Sequence, residues 1–280
     1  MTKPGQRLKI TPMRILLTND DGYNAPGILA LYEALSAAHE VILIAPDREK
    51  SAVSHGISLN QPMRIQTVPL HNGRQGYGIT GTPADCVKLG LFELCTSQPD
   101  LIISGINPGC NTGVDINYSG TVGAAREGAL NQILSMAVSI RKTGNMLDLQ
   151  GVSRFIAGLS EKIHDFDLPS GTFLNINAPD ISMDGVQGIR ITRQAQDNVS
   201  KQFEKRIDPK NRFYYWYGDV NRISEEIDTD INALDQNYIS ITPIQCDNTD
   251  YKTMGKLSSL HVEYRSDIPK NRSQIPRYHT

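Results

Sequence analysis

The chain reads as an α/β protein: a doubly wound, mostly parallel sheet in its first half and a projecting arm or hairpin in its second. Three observations predict this. Short apolar runs recur at Ile15-Leu16-Leu17, Val41-Ile42-Leu43-Ile44-Ala45 and Leu101-Ile102-Ile103, continuous rather than alternating, as in parallel strands buried on both faces. Segments with helical spacing or helix-start signals separate them. Strand and helix then alternate through the first 140 residues, the signature of parallel crossover units.

In order along the chain, Arg14 to Thr18 forms the first strand. Pro26 to Ala38 follows as a helix, with Ile28, Leu31 and Leu35 on one face and Leu29 and Tyr32 flanking it. The run Val41 to Ala45 is a second strand, stopped by Pro46. Gly81-Thr82-Pro83-Ala84-Asp85 is a helix start: Thr82 caps, Pro83 takes the first helical position, and Asp85 closes a capping box. That helix runs to about Leu94, and Leu101 to Gly105 is the next strand. Thr121 to Leu130 is a helix rich in Gly and Ala, able to approach a sheet closely, and Leu134 to Ile140 is the strand after it. In the less regular second half, Leu174 to Asn177 reads as a strand closing at Ala178-Pro179. The stretch from Ile189 to about Glu226 is polar and charged, with the aromatic block Phe213-Tyr214-Tyr215-Trp216-Tyr217, and reads as the arm. Tyr238 to Pro243 alternates as one more strand, and the chain beyond Tyr251 reads as a weakly docked polar tail. The expected organisation is a loose leader over 1–12 (Met13 being an alternative start), a catalytic core over 13–188, arm and oligomerisation elements over 189–257, and a tail over 258–280.

A length of 280 residues allows a large core without staples. With 28 basic and 30 acidic residues and a net charge of −2, there is no electrostatic footprint of a nucleic-acid or membrane binder. No apolar run is long enough to span a bilayer, and Met1 to Pro12 lacks the apolar core of a secretory signal. Cys86, Cys95, Cys110 and Cys246 form no C-x-x-C pair, and the six histidines form no H-x-x-x-H pattern. This favours free thiols in a reducing cytoplasm and argues against zinc. No internal repeat is present.

The densest chemistry is Thr18-Asn19-Asp20-Asp21-Gly22, at the end of the first strand. Adjacent carboxylates repel, and one would hold a proton unless something positive sits beside them. A hard divalent cation is the simplest partner, and a polar turn that merely caps a helix is the alternative. In open parallel sheets ligands bind beyond the carboxyl ends of the strands. Four clusters fall there: Asn19-Asp20-Asp21, Asp47 to Ser51, Asn107 to Asn111, and Tyr118-Ser119-Gly120-Thr121. The last opens a helix, where free N–H groups and hydroxyls suit an oxyanion as well as a simple cap. Metal and phosphate together account for the convergence best. Thr82 and Asp85 read as a cap. His55 reads as a solvated loop residue that could touch substrate, Cys110 as a bystander, and Asp47-Arg48-Glu49-Lys50 as a solvated run with Arg48 or Lys50 a minor phosphate-steering candidate. The aromatic block could stack on a base, although packing in an arm or on another subunit suits it better.

These residues resemble the SurE family of metal-dependent nucleoside-monophosphate phosphatases over roughly Met13 to Leu257. The markers are T-N-D-D-G-Y-N-A-P-G-I, A-P-D-R-E-K-S-A, G-T-P-A-D-C-V, S-G-I-N-P-G-C-N, Y-S-G-T-V-G-A-A-x-E-G-A, L-N-I-N-A-P, Y-Y-W and Y-I-S-I-T-P. The resemblance implies a Rossmann-like core, one divalent cation per subunit (Mg²⁺ or Mn²⁺), hydrolysis of nucleoside 5′- and 3′-monophosphates, and a homodimer or homotetramer with exchanged C-terminal elements. It implies Asp20, Asp21, Ser51 and Asn107 as metal ligands, and Asn19, Asn111, Ser119, Gly120 and Thr121 around the phosphate, with Asp20, Asp21 and Asn19 at the catalytic centre. Ser51 comes from the resemblance alone. Two departures stand out: Ile231-Asn232-Ala233 follows Thr229-Asp230 where family members often carry a tryptophan, and the residues after about Leu257 have no family counterpart. The expected chemistry is attack by metal-activated water. A covalent aspartyl-phosphate is the alternative, disfavoured by the lack of an Asp-x-Asp spacing. A non-catalytic nucleotide sensor and a general phosphatase or polyphosphatase are the rival functions.

Overall fold

The computed structural model describes residues 11–144, 147–163, 166–196, 203–217 and 226–260. Most of the expected leader and tail, and parts of the arm, lie outside the described residues. Contacts divide the chain into two units, Met1–Cys246 and Asp247–Thr280.

The first unit is built on one nine-stranded mixed sheet. Its strands are β1 (Arg14–Thr18), β2 (Glu40–Pro46), β3 (Ile65–Pro69), β4 (Gln75–Ile79), β5 (Leu101–Pro108), β6 (Ser135–Ile140), β7 (Thr172–Ala178), β8 (Ile189–Ile191) and β11 (Ile239–Gln245). The order across the sheet is β3-β4-β2-β1-β5-β6-β7-β11-β8. The six strands from β4 to β7 are mutually parallel, whereas β3 and β11 run antiparallel to their inner neighbours and β8 follows β11. A separate antiparallel ribbon pairs β9 (Phe203–Ile207) with β10 (Phe213–Tyr217), Phe213 opposite Ile207 and Tyr217 opposite Phe203. The aromatic block is therefore one strand of a hairpin, as expected of an arm. The expected boundary at 188 does not follow the sheet, since β8 and β11 both belong to it.

Helices α1 (Pro26–Leu35), α2 (Pro83–Leu89), α3 (Gly120–Leu130), α4 (Leu149–Ile163) and α5 (Asp230–Asp235) cover this unit. A π-helical turn over Gly90–Leu94 carries α2 to the expected end. On one face, Ile28, Leu31 and Leu35 of α1 and Val152 and Ile156 of α4 bury Ile15, Leu17, Leu43 and Ile103. On the other, Cys86 and Val87 of α2 and Ala124 of α3 bury Leu16, Ile44 and Ile102. Alternate residues of one strand thus enter opposite layers, which is why the strands read as unbroken apolar runs.

One connection departs from the usual hand. The crossovers carrying α2 and α3 step across the sheet in the same direction as β6-α4-β7, yet α4 packs beside α1 on the opposite face. Such connections are right-handed in about 98% of cases. β6-α4-β7 therefore runs left-handed.

The described part of the second unit holds α6 (Tyr251–Leu257), capped by the Asp250 carboxylate, which accepts from Thr253 N at 2.9 Å. This helix lies just before the expected tail over 258–280. Among the described residues, no helix is long and apolar enough to cross a membrane.

Candidate active site

β1 lies between β2 and β5. The chain leaves β1 through α1 on one face and leaves β5 toward α3 on the other, which makes the carboxyl end of the β1/β5 pair a topological switch point, where open α/β sheets open a crevice. The loops after β1, β2 and β5 and the first turn of α3 meet there.

Asp20 is almost fully buried. The Thr121 hydroxyl donates to its Oδ1 at 2.5 Å. Its backbone carbonyl accepts from Lys50 N at 2.7 Å, which joins the β1 and β2 loops. A Cβ built on Gly120 would stand 3.0 Å from both Asp20 Cβ and Oδ2, so glycine lets this carboxylate lie against the start of α3. Burial raises the Asp20 carboxyl, while hydrogen bonds from the Thr121 side chain and from backbone N–H groups oppose the rise.

Asp21 has no such support. Its Oδ2 is buried without a hydrogen-bond partner. Burial pushes the carboxyl up to about 6, and the charges of Asp20 and Glu49 add to the rise, with Lys142 beyond β6 pulling the other way. Such a site disfavours two negative charges and is relieved by a cation.

Ser51 is exposed, and its hydroxyl donates to Glu49 Oε1 at 2.6 Å. Asn107 spends its Nδ2 on Gly109 O at 2.7 Å, which leaves the amide oxygen for another partner. Asn19 is buried and closes its own turn: Nδ2 donates to Gly22 O at 2.9 Å, and Gly22 N donates back to Oδ1 at 3.1 Å. Its side chain therefore shapes the loop. Asn111 is also an anchor. Its N–H donates to Asn177 Oδ1, its Nδ2 to Ser139 Oγ (both 2.8 Å), and its carbonyl accepts from Asn175 and Asn177. Ser119 caps α3, accepting from Val122 N at 3.1 Å, and keeps its hydroxyl proton to donate. With the Thr121 hydroxyl committed to Asp20, the Ser119 hydroxyl proton and the Gly120 N–H remain as donors at the positive end of α3.

Thr82 and Asp85 form the expected capping box at 3.1 and 2.9 Å. Cys110 stays a free thiol, and Arg48 pairs with Asp47 at 3.9 Å. His55 is not simply solvated: its Nε2 lies 2.8 Å from Glu127 Oε2, a partner 72 residues away. Sequence reasoning missed Glu127 and the β7 amides of Asn175 and Asn177, although both stand inside the motifs A-A-x-E-G-A and L-N-I-N-A-P. A buried acid or amide in an otherwise apolar element was the signal for each.

The family model described as "Survival protein SurE" matches residues 15–201. The chain is 45% identical to "5'-nucleotidase SurE" of Desulfatibacillum aliphaticivorans over 252 residues, which is 90% of this chain and 99% of that protein. It is 45% identical to the protein of that name from Caldanaerobacter subterraneus subsp. tengcongensis, over 89% of this chain and 98% of the other. The chain belongs to the SurE family. The crystal structure of the SurE protein from Aquifex aeolicus superposes with a TM-score of 0.76 at 36% identity, covering 88% of this chain and 98% of that one. The SurE fold therefore accounts for the α/β core and its mostly parallel mixed sheet.

Proposed function

We propose that this chain is a divalent-metal-dependent 5′-nucleotidase. It would hydrolyse nucleoside monophosphates to nucleoside and phosphate, with 3′-nucleotides and polyphosphate as side substrates. The SurE relatives carry the 5′-nucleotidase name, and one observation at the site carries the metal: the partnerless buried Asp21 oxygen, next in the chain to Asp20, whose carboxylate lies against the start of α3. Two carboxylates, a hydroxyl and an amide oxygen are hard donors, which fit Mg²⁺ or Mn²⁺.

Asp20, Asp21, Ser51 and Asn107 would hold the cation. When bound, it polarises the phosphoryl group and lowers the pKa of a bound water. Thr121 fixes the rotamer of Asp20 and stabilises it as a carboxylate. The Gly120 N–H and Ser119 hydroxyl hold phosphoryl oxygens as charge develops on them. Asn19 and Asn111 act by shaping the loops that present these groups. The pinned carboxylate of Asp20 suits a ligand better than a nucleophile, and in this reading water, not Asp20 or Asp21, is the attacking group. A phosphorylated aspartate trapped during turnover would overturn that step.

The β9–β10 ribbon carries exposed Phe203, Phe213, Tyr215, Trp216 and Tyr217. An isolated two-stranded ribbon is at best marginally stable, and these rings suit packing on a second copy in a homodimer or homotetramer. Four free cysteines suit a reducing cytoplasm.

The test is phosphate release from nucleoside 5′- and 3′-monophosphates, an aryl phosphate and polyphosphate, with and without Mn²⁺. Metal-dependent release fastest from nucleoside monophosphates is expected. Binding without release would make the protein a sensor, and equal rates on the aryl phosphate would make it a general phosphatase.

A further inference from the structure

The loop after β2 must deliver Ser51 to the rim, yet the Ser51 hydroxyl reaches only its neighbour Glu49. What places it is the chain on either side. Upstream, Lys50 N donates to Asp20 O at 2.7 Å. Downstream, the loop turns through Ala52 (φ 56°) and Ser54 (φ 55°), left-handed conformations that side chains disfavour and that neighbouring contacts must hold. Those contacts come from the α3 region. Ser54 N donates to Tyr118 O at 3.0 Å, and Ser54 Oγ to Asn117 O at 2.6 Å. The loop lies so close to the helix that a Cβ on Gly123 would stand 2.5 Å from Ser54 O.

The next residue, His55, donates through Nε2 to Glu127 Oε2 at 2.8 Å. Glu127 is buried on α3 and cannot swing away, because Lys88 Nζ of α2 and Asn131 Nδ2 both donate to its Oε1, at 3.1 and 3.0 Å. The His55 hydrogen bond, with help from Lys88, holds the Glu127 carboxyl down to about 2 against its burial, so it stays an anion over the working pH range. Glu127 lies two turns from Gly120, about 10 Å along the same helix.

We infer that His55 and Glu127 are a positioning pair: they clamp the Ser51 loop onto α3, so that the helix presenting the phosphate-binding turn also sets the place of the Ser51 ligand. This rests on the metal reading proposed above. The pair touches neither cation nor substrate and acts through Ser51.

His55 is part-exposed, so His55→Ala is the mild perturbation, and His55→Gln keeps an N–H donor near the Nε2 position. Three readouts are needed: Mn²⁺ binding to metal-free protein by titration calorimetry, kcat and KM on a nucleoside 5′-monophosphate, and the Tm in chelator. His55→Ala should weaken Mn²⁺ binding about tenfold, the lower end of what indirect partners of metal ligands contribute. It should lower kcat at sub-saturating Mn²⁺, with KM and the chelator Tm little changed, and His55→Gln should recover most of the affinity. In a cycle with Glu127→Gln, the double variant should lose no more affinity than either single one. Unchanged Mn²⁺ affinity in His55→Ala overturns the inference, and so does a loss that tracks a fallen Tm, which would make the pair merely structural. If the wild type itself neither binds Mn²⁺ nor releases phosphate, the underlying metal reading fails, and this inference with it. Failure in His55→Ala alone leaves that reading standing.

Discussion

Asp21→Asn should stabilise the metal-free protein while removing its response to metal. The folded-state carboxyl sits at about 6 against an ordinary value of 3.8. The folded state therefore binds this proton more tightly than the unfolded chain does. At low pH both states are protonated and the group is neutral in its effect. As pH rises through 3.8 and then about 6, ionisation favours the unfolded chain, and above about 6 the full penalty applies. A rise of about 2 units corresponds to at most about 3 kcal/mol. The group is partly solvated, and screening reduces this to about 1–2 kcal/mol. For a chain of this size that is a Tm difference of about 2–4 °C. Calorimetric melts in chelator should show Asp21→Asn above wild type by that margin near pH 8, with the gap closing below about pH 4. In Mn²⁺ at about 100 times its Kd the order should reverse, because binding adds about 2.7 kcal/mol to the wild type and little to the variant. If Asp21→Asn melts below wild type in chelator near pH 8, the carboxylate is satisfied inside the protein and the argument from its partnerless oxygen collapses.

Chelator should silence nucleotide hydrolysis, and Mn²⁺ or Mg²⁺ should restore it; full rates in strong chelator would leave the paired acids without a role. Titration calorimetry should show Mn²⁺ affinity falling about tenfold per pH unit below about pH 6, where the cation must displace the Asp21 proton, and levelling above it. Thr121→Val removes the hydrogen bond that orients Asp20, and kcat/KM should drop about 10- to 100-fold in steady-state assays without loss of fold by circular dichroism. Gly123→Ala forces Ser54 off α3, and a matched pair of activity and melting measurements should show activity falling by more than the change in Tm explains.

The central strands were legible because a strand buried on both faces has no polar alternation to disguise it: β1, β2, β5 and β6 all lie where their apolar runs predict. Other elements carry weaker marks. In β3 only Val68 is buried, so its sequence looks like loop. In α4 the repeat Val152, Ile156, Ser160, Ile163 marks the buried face, but Gly151, Ser153 and Gly158 dilute it. The left-handed β6-α4-β7 crossover could not be read at all, since handedness depends on which face receives the helix. The short β8, with only three residues, is a strand solely by virtue of its pairing with β11.

At the candidate site, residue type marked loops that the sheet brings to its carboxyl edge, and hydrogen bonding then distinguishes the side chains within them. Asn19, Asn111 and Thr121 have the chemistry of substrate donors, but the Thr121 hydroxyl is committed to Asp20, and each asparagine amide spends one of its two N–H groups inside the protein, on Gly22 or on Ser139. Asp21 is the reverse case, a carboxylate whose neighbours leave one buried oxygen unanswered. A pattern of letters cannot separate a spent donor from an available one; that difference lies in geometry between residues some 100 positions apart. The same holds for α3. Its Gly120, Gly123 and Glu127 look like ordinary helix composition, yet each meets a different part of the rim: Asp20, the Ser54 carbonyl and His55. A helix that contacts the β1 loop and the β2 loop at once can keep their spacing fixed while the loops themselves stay short of regular structure. For that reason a substitution on the buried side of α3, far from any reacting atom, should lower kcat/KM more than one at an exposed position of those loops that holds neither the cation nor the phosphoryl group.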